Sequence, residues 1–382
     1  MQVTKLIIRF LQVTLSLLLV MSMGCNTTSQ KEINIGYIGP LSKRATDLGI
    51  APSNALILAV EKYNANRKKG QYKVNLFIED DQWERNNALP LYNKLREEHD
   101  IDILFISNSD GTVEVQEKIM QDDVIAINPL NSDAMLSSLN HNTFKIAKST
   151  EEANGLIGIR LVDLGVKKTV VFHFPNDFMT RGANEVKRIL DEAGIENRII
   201  KTDKQDSVFT SLLSECKQAG YDSYVFFGYK EYGFAMRDAR EMGITAPFFG
   251  STVLLDPAYY DNSQGAIIGT ECTFFTPSDG NYVLANEFLE DYKSRFGTSP
   301  SSVWPPMQAY DAMNILLEVL NELSTEKEPN ANFCDRLRQK LFEVKYHQGV
   351  CGNISISPDG SSNGIYFSVY KYQSKGVLTK VK

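Results

Sequence analysis

Histidine, tryptophan and cysteine are all scarce in this 382-residue chain, which holds four, two and five of them. The histidines, His99, His141, His173 and His347, stand in no motif, and His173 reads as a core residue within a strand. There is no His-Glu-x-x-His, no Gly-x-Ser-x-Gly and no glycine-rich phosphate loop of either common kind. Adjacent acids such as Asp80 and Asp81 are common at strand ends and caps and do not make an acid/base pair by themselves. The chain is therefore expected not to be an enzyme and to need no cofactor. An excess of positive charge is also missing. A formal net charge of -7 argues against a nucleic-acid partner. The one basic cluster, Arg67-Lys68-Lys69, follows a helix, where positive charge suits the carbonyl end of the dipole. Beyond the first residues no long hydrophobic run occurs, so no second membrane-directed segment is expected.

What is present begins at the N-terminus. Lys5 and Arg9 precede an apolar stretch, Phe10 to Met23, short for a membrane span and suited to the core of a signal peptide, so the protein is expected to be exported. The stretch ends in Ser22-Met23-Gly24-Cys25, similar to a bacterial lipoprotein cleavage site, with Ser22 where leucine is usual. Residues 1–24 read as the leader and 25–31 as a tether lipidated at Cys25, giving a membrane-anchored protein of the cell envelope. Of the four other cysteines, Cys334 and Cys351 are a candidate disulfide in an oxidising compartment. His347 lies between them, but a zinc site lacks further ligands at sensible spacing. Cys216 and Cys272 read as small buried hydrophobes.

The remaining length exceeds what one core normally serves and suggests two lobes. The stretch Ile33 to Asn64 sets the pattern: a short apolar strand halted by Gly39-Pro40, a polar loop, then a helix opening at Pro52-Ser53-Asn54 with Ala55, Leu56, Ala59, Val60 and Tyr63 at helical spacing. That is half of a βαβ unit, and in an open parallel sheet the loop beyond the strand should line a site. Strands at 74–79, 101–106 and 124–127 end in polar loops containing Ser107 to Gly111 and Asn128 to Asp133, a set of donors suited to a carboxylate. From Phe144 the alternation starts afresh, with strand ends at Pro175 to Phe178, Gly228 to Glu231 and Gly250 to Thr252. Three helices follow, and the tail from Gly352 to Tyr372 reads as a hairpin-like ending. Three crossings between two lobes imply a hinge.

In order and spacing, several stretches resemble the type I periplasmic binding proteins, in the branch of leucine-isoleucine-valine binding proteins of ABC transporters. They are Ile35-Gly36-Tyr37-Ile38-Gly39-Pro40-Leu41-Ser42, Glu79-Asp80-Asp81-Gln82, Ile127-Asn128-Pro129, Gly228-Tyr229 with Arg237 to Gly243, and Ala309-Tyr310-Asp311-Ala312. The likeness covers nearly all of the chain after the leader. It implies an α/β fold of two doubly wound, Rossmann-like lobes joined by a three-crossover hinge, with one lobe from 32–146 and 275–355 and the other from 147–274 and 356–382. It also implies a monomer that closes on a small polar ligand, an amino acid, amide or small carboxylate, and presents the closed form to a membrane permease. A ligand sensor or a protein-binding envelope regulator on the same fold is the alternative. By position, the resemblance places the carboxylate grip on Ser109, the Leu130 backbone and Ser132, and the aromatic walls on Phe178, Tyr229 and Trp304. It also exposes two departures. Thr252 stands where amino-acid binders carry an acid for the ligand's ammonium, and Leu48 stands where a tyrosine is expected. A buried ammonium without a counter-charge is costly, so either Asp110 or Glu231 substitutes or the ligand is not an α-amino acid.

Overall fold

The computed structural model describes residues 31–131, 136, 140–202, 207–326 and 332–381. The leader, the tether and Cys25 lie outside the described residues. The first sheet contains β1 (Glu32–Gly39), β2 (Lys73–Asp80), β3 (Ile103–Ile106), β4 (Ile125–Asn128) and β5 (Thr143–Lys145), all parallel, in the order β2-β1-β3-β4-β5. Its strands β3 and β4 are buried throughout, as apolar runs covered on both faces must be. The second sheet takes β6 (Lys168–His173), β7 (Glu196–Lys201), β8 (Ser223–Phe227), β9 (Phe248–Gly250) and β10 (Glu271–Phe275) in parallel. A small antiparallel sheet is made of β11 (His347–Gln348), β12 (Gly352–Ile356) and β13 (Ser362–Ile365). Finally β14 (Phe367–Ser374) and β15 (Val377–Lys380) complete the second sheet, giving the order β15-β14-β10-β9-β8-β6-β7.

Helices cover the sheets. In chain order they are α1 (Ile50–Asn66), α2 (Ala88–His99), α3 (Ser109–Glu114), α4 (Gln116–Asp122), α5 (Thr150–Asp163), α6 (Asp177–Glu192), α7 (Ser207–Gln218), α8 (Tyr232–Glu241), α9 (Pro257–Ser263), α10 (Val283–Phe296), α11 (Trp304–Thr325) and α12 (Phe333–Glu343). The helix foreseen from Pro52 starts two residues earlier, at Ile50. Pro52 sits in its first turn, where no backbone N–H is needed, and Ser53 Oγ bonds back to the Ile50 carbonyl. Helix α1 packs chiefly against α11, and α10, α11 and α12 return to the first lobe after the chain has built the second. Each lobe has two apolar clusters, one per face of its sheet.

The tail needs correction. The segments read as one hairpin part company: β12 pairs antiparallel with β13, while β14 leaves to lie against β10. Both segments alternate, and alternation does not reveal which sheet a strand joins. The candidate disulfide also needs correction. Cys334 and Cys351 are both buried free thiols. Cys334 interacts with Asp123, whereas Cys351 lies against the Asp311 carboxylate, and its own backbone N–H donates to that group. Cys216, on α7, and Cys272, on β10, are buried as expected.

Candidate functional site

The position of the site follows from where the lobes are joined. The chain leaves the C-terminal end of β5 and enters α5. Arg160, late in α5, pairs bidentately with Glu271, the first residue of β10, at 2.7 and 3.3 Å. The start of α5 therefore lies at the C-terminal edge of the second sheet. The second crossing leaves Phe275 at that same edge. The third enters β14 at Phe367, which is paired with Phe275. All three crossings thus occupy the C-terminal edges of the two parallel sheets, and the loops beyond the strands of both sheets open onto the hinge between them.

On the first lobe, an asparagine stands two residues beyond β3, at Asn108, and another ends β4, at Asn128. Asn108 Oδ1 accepts the N–H groups of Asp110 and Gly111 at 3.0 and 3.3 Å. Asn128 Oδ1 accepts those of Leu130 and Asn131 at 3.0 and 2.9 Å. Asn128 Nδ2 donates to Thr112 Oγ1 at 3.0 Å, which ties the two turns together. Ser109 opens α3, and its Oγ accepts from Asn131 Nδ2. Ser109 and the Leu130 turn are therefore neighbours, although the Leu130 N–H assigned to the ligand carboxylate is held by Asn128. Ser132 lies outside the described residues. Asp110, one of the two candidate counter-charges, is exposed.

Behind these turns Tyr37 is fully buried, its hydroxyl 3.0 Å from the Gly49 carbonyl and 2.8 Å from Ser107 Oγ. It fastens the first loop to β3, leaving Leu48 partly buried at the edge of that loop. Asp80 accepts from Leu41 N and Ser42 Oγ and so staples the same loop to β2. Asp81 is buried, and burial pushes its carboxyl above the usual range; Oδ1 accepts from Trp83 N at 2.8 Å.

On the second lobe, Asn176 caps α6 by accepting from Met179 N. Its Nδ2 donates to Tyr229 Oη at 2.7 Å, and Tyr229 stands edge-on to Phe174 at 5.3 Å. Tyr229 remains 40% exposed, so its ring is presented rather than packed away. Phe178 is half-buried against the core behind it. Thr252 follows Ser251, which caps the short helix after β9, and Glu231, the other candidate counter-charge, precedes α8. His173, at the end of β6, is buried, and its Nδ1 lies 3.0 Å from the Phe174 carbonyl oxygen; burial lowers its pKa.

At the hinge, Trp304 is the first residue of α11, followed by Pro305 and Pro306, which the first helical turn tolerates. The Lys148 ammonium lies over its ring, 3.9 Å from the centroid. The sequence reading missed Lys148 because it falls between β5 and α5 in no periodic pattern. Burial pushes its ammonium down to about 8.

A separate cavity of about 230 Å³ sits in the first lobe among α1, α10, α11 and the segment 347–350. There the buried Asp311 accepts the N–H groups of Val350 and Cys351, each at 2.7 Å. Burial raises its carboxyl to about 6. His347 Nδ1 lies 2.8 Å from Glu318 Oε2, and Lys62 pairs with Asp291. No group of histidine, cysteine and acidic side chains among the described residues could hold a metal ion. Nor is any described helix long and apolar enough to cross a membrane.

The family model for periplasmic binding proteins matches residues 32–376. No curated protein matches the chain in sequence. Among solved structures, an ABC transporter substrate-binding protein of Desulfitobacterium hafniense in complex with Leu superposes with a TM-score of 0.71 at 19% identity, over 92% of this chain and 100% of that one. A leucine-binding protein of Thermotoga maritima gives 0.68 at 17%, over 92% and 98%. A solute-binding protein of an ABC transporter from R. palustris, in complex with benzoate, gives 0.65 at 17%, over 92% and 95%.

Proposed function

Since the chain belongs to the periplasmic binding protein family, we propose that it is the extracytoplasmic solute-binding component of an ABC transporter, tethered to a membrane through a lipid on Cys25. Its two lobes trap a small polar solute by closing about the hinge, and the closed form is what a membrane permease recognises. One observation carries this reading: all three crossings sit at the C-terminal edges of both sheets, so the strand-end loops of each lobe share one cleft. Ser109 with the Asn131 turn supplies hydrogen-bonding groups from one side, and Tyr229 with Phe178 supplies aromatic surface from the other. The family resemblance assigns no chemical step, and the chain works by binding and motion.

The test is small-angle scattering on the full-length protein with and without candidate solutes. Closure on a solute reduces the radius of gyration, and an unchanged radius with a solute that demonstrably binds overturns the trapping mechanism. Replacing Cys25 with alanine is expected to release the chain from the membrane fraction; continued membrane retention would locate the anchor elsewhere.

A further inference from the structure

Among the described residues, the hinge contains two donors without acceptors. Lys148 forms no ion pair with any carboxylate among the described residues, although the residue is half-buried. Its backbone N–H donates to Gln308 Oε1 at 2.7 Å. That bond fixes the amide orientation, because only the oxygen can accept, and it leaves Gln308 Nε2 buried with no partner among the described residues. Gln308 is 1% exposed and lies one turn along α11 from Trp304. A cation with no ion pair and an amide N–H₂ with no partner among the described residues therefore lie close together at the first crossing, the cation over the Trp304 ring. Buried polar groups are normally paired, and a charge withdrawn from water without a partner is costly. Thr252 supplies no negative charge, Asp110 is exposed on α3, and Glu231 is half-buried just ahead of α8.

We infer that Lys148 is the counter-ion for the carboxylate of the captured solute, and that the solute is an organic anion without an α-ammonium group. This rests on the solute-binding reading above and names the ligand class. The Trp304 ring holds one side of the ammonium by cation–π attraction, which leaves its remaining N–H donors free for a carboxylate. Gln308 positions the lysine backbone, and Trp304 and Tyr229 offer apolar surface for the rest of the anion. A zwitterion would bring a second positive charge into a cleft that already holds an unpaired one.

Equilibrium dialysis of the full-length protein, shown by mass spectrometry to carry no co-purified solute, tests this with benzoate, 3-methylbutanoate and succinate against L-leucine and L-phenylalanine. At least one of the carboxylates is expected to bind more tightly than both amino acids in the unaltered protein. Lys148→Met is expected to weaken that binding by about tenfold or more, the scale of a charge-assisted hydrogen bond, whereas Lys148→Arg retains most of it. Amino acids binding more tightly, or anion binding unchanged in Lys148→Met, overturns the inference and leaves the solute-binding reading intact. Failure of all three carboxylates to bind overturns the inference, while the solute-binding reading stands or falls separately on the scattering test above. The preference of the unaltered protein decides the matter even where a variant does not fold.

Discussion

At the scale of single residues, the cavity of the first lobe shows how burial sets behaviour. Burial opposes the charged form of His347, but its hydrogen bond to Glu318 together with the negative charges of Glu318 and Asp311 outweighs that and raises its pKa above the ordinary 6.5. A raised folded-state pKa contributes stability that is fully present below the unfolded value and fades as pH rises through the folded one. The stability difference between the natural chain and His347→Gln, measured by urea unfolding, is therefore expected to be largest below pH 6.5 and to shrink as pH rises. Asp311, raised to about 6, acts in the same direction over a lower range. Beside it, a side chain on Gly349 would collide with the Asp311 carboxylate. Gly349→Ala is expected to cost about 1–3 kcal/mol in the same assay, the range for overpacking.

At the scale of elements, the turns after β3 and β4 depend on their asparagines. Asn128 accepts two backbone N–H groups and donates to Thr112, so Asn128→Ala is expected to destabilise the fold by about 1 kcal/mol or more, read from the urea midpoint. The alternating helices and strands were legible because each carries its own period, and Gly39-Pro40 marked where β1 stops. The split of the tail between two sheets was not legible, since β12, β13 and β14 look alike until their partners are known. The same holds for the site. Motif order put Ser109 and Tyr229 at strand-end loops, yet Asn128's capture of the Leu130 N–H depends on local turn geometry and the pairing of Lys148 with Trp304 on a contact between distant parts of the chain. Cys334 and Cys351, close in sequence, face different neighbours for the same reason.

At the scale of the whole molecule, the lobes are covalently interleaved: the chain builds the first sheet, then β6 to β10 of the second, returns to the first lobe with α10 to α12, and goes back to the second sheet with β14 and β15. The closing motion proposed above would turn on the crossings after Lys145, after Phe275 and at Tyr366, the last a single residue between β13 and β14. A disulfide bridging the strand-end loops of the two lobes, made by replacing Ser109 and Tyr229 with cysteine, is expected to lock the closed form and slow solute release; release at the natural rate after confirmed oxidation would show that solute escapes without opening. The late position of β14 also has a consequence for biosynthesis. Until the residues from Phe367 onward have emerged, β10 is a bare sheet edge with Cys272 and Phe275 lacking their cover. A chain truncated before that point leaves β10 as an open strand to which other unfinished chains can pair, so β14 is the seal on that edge of the second sheet.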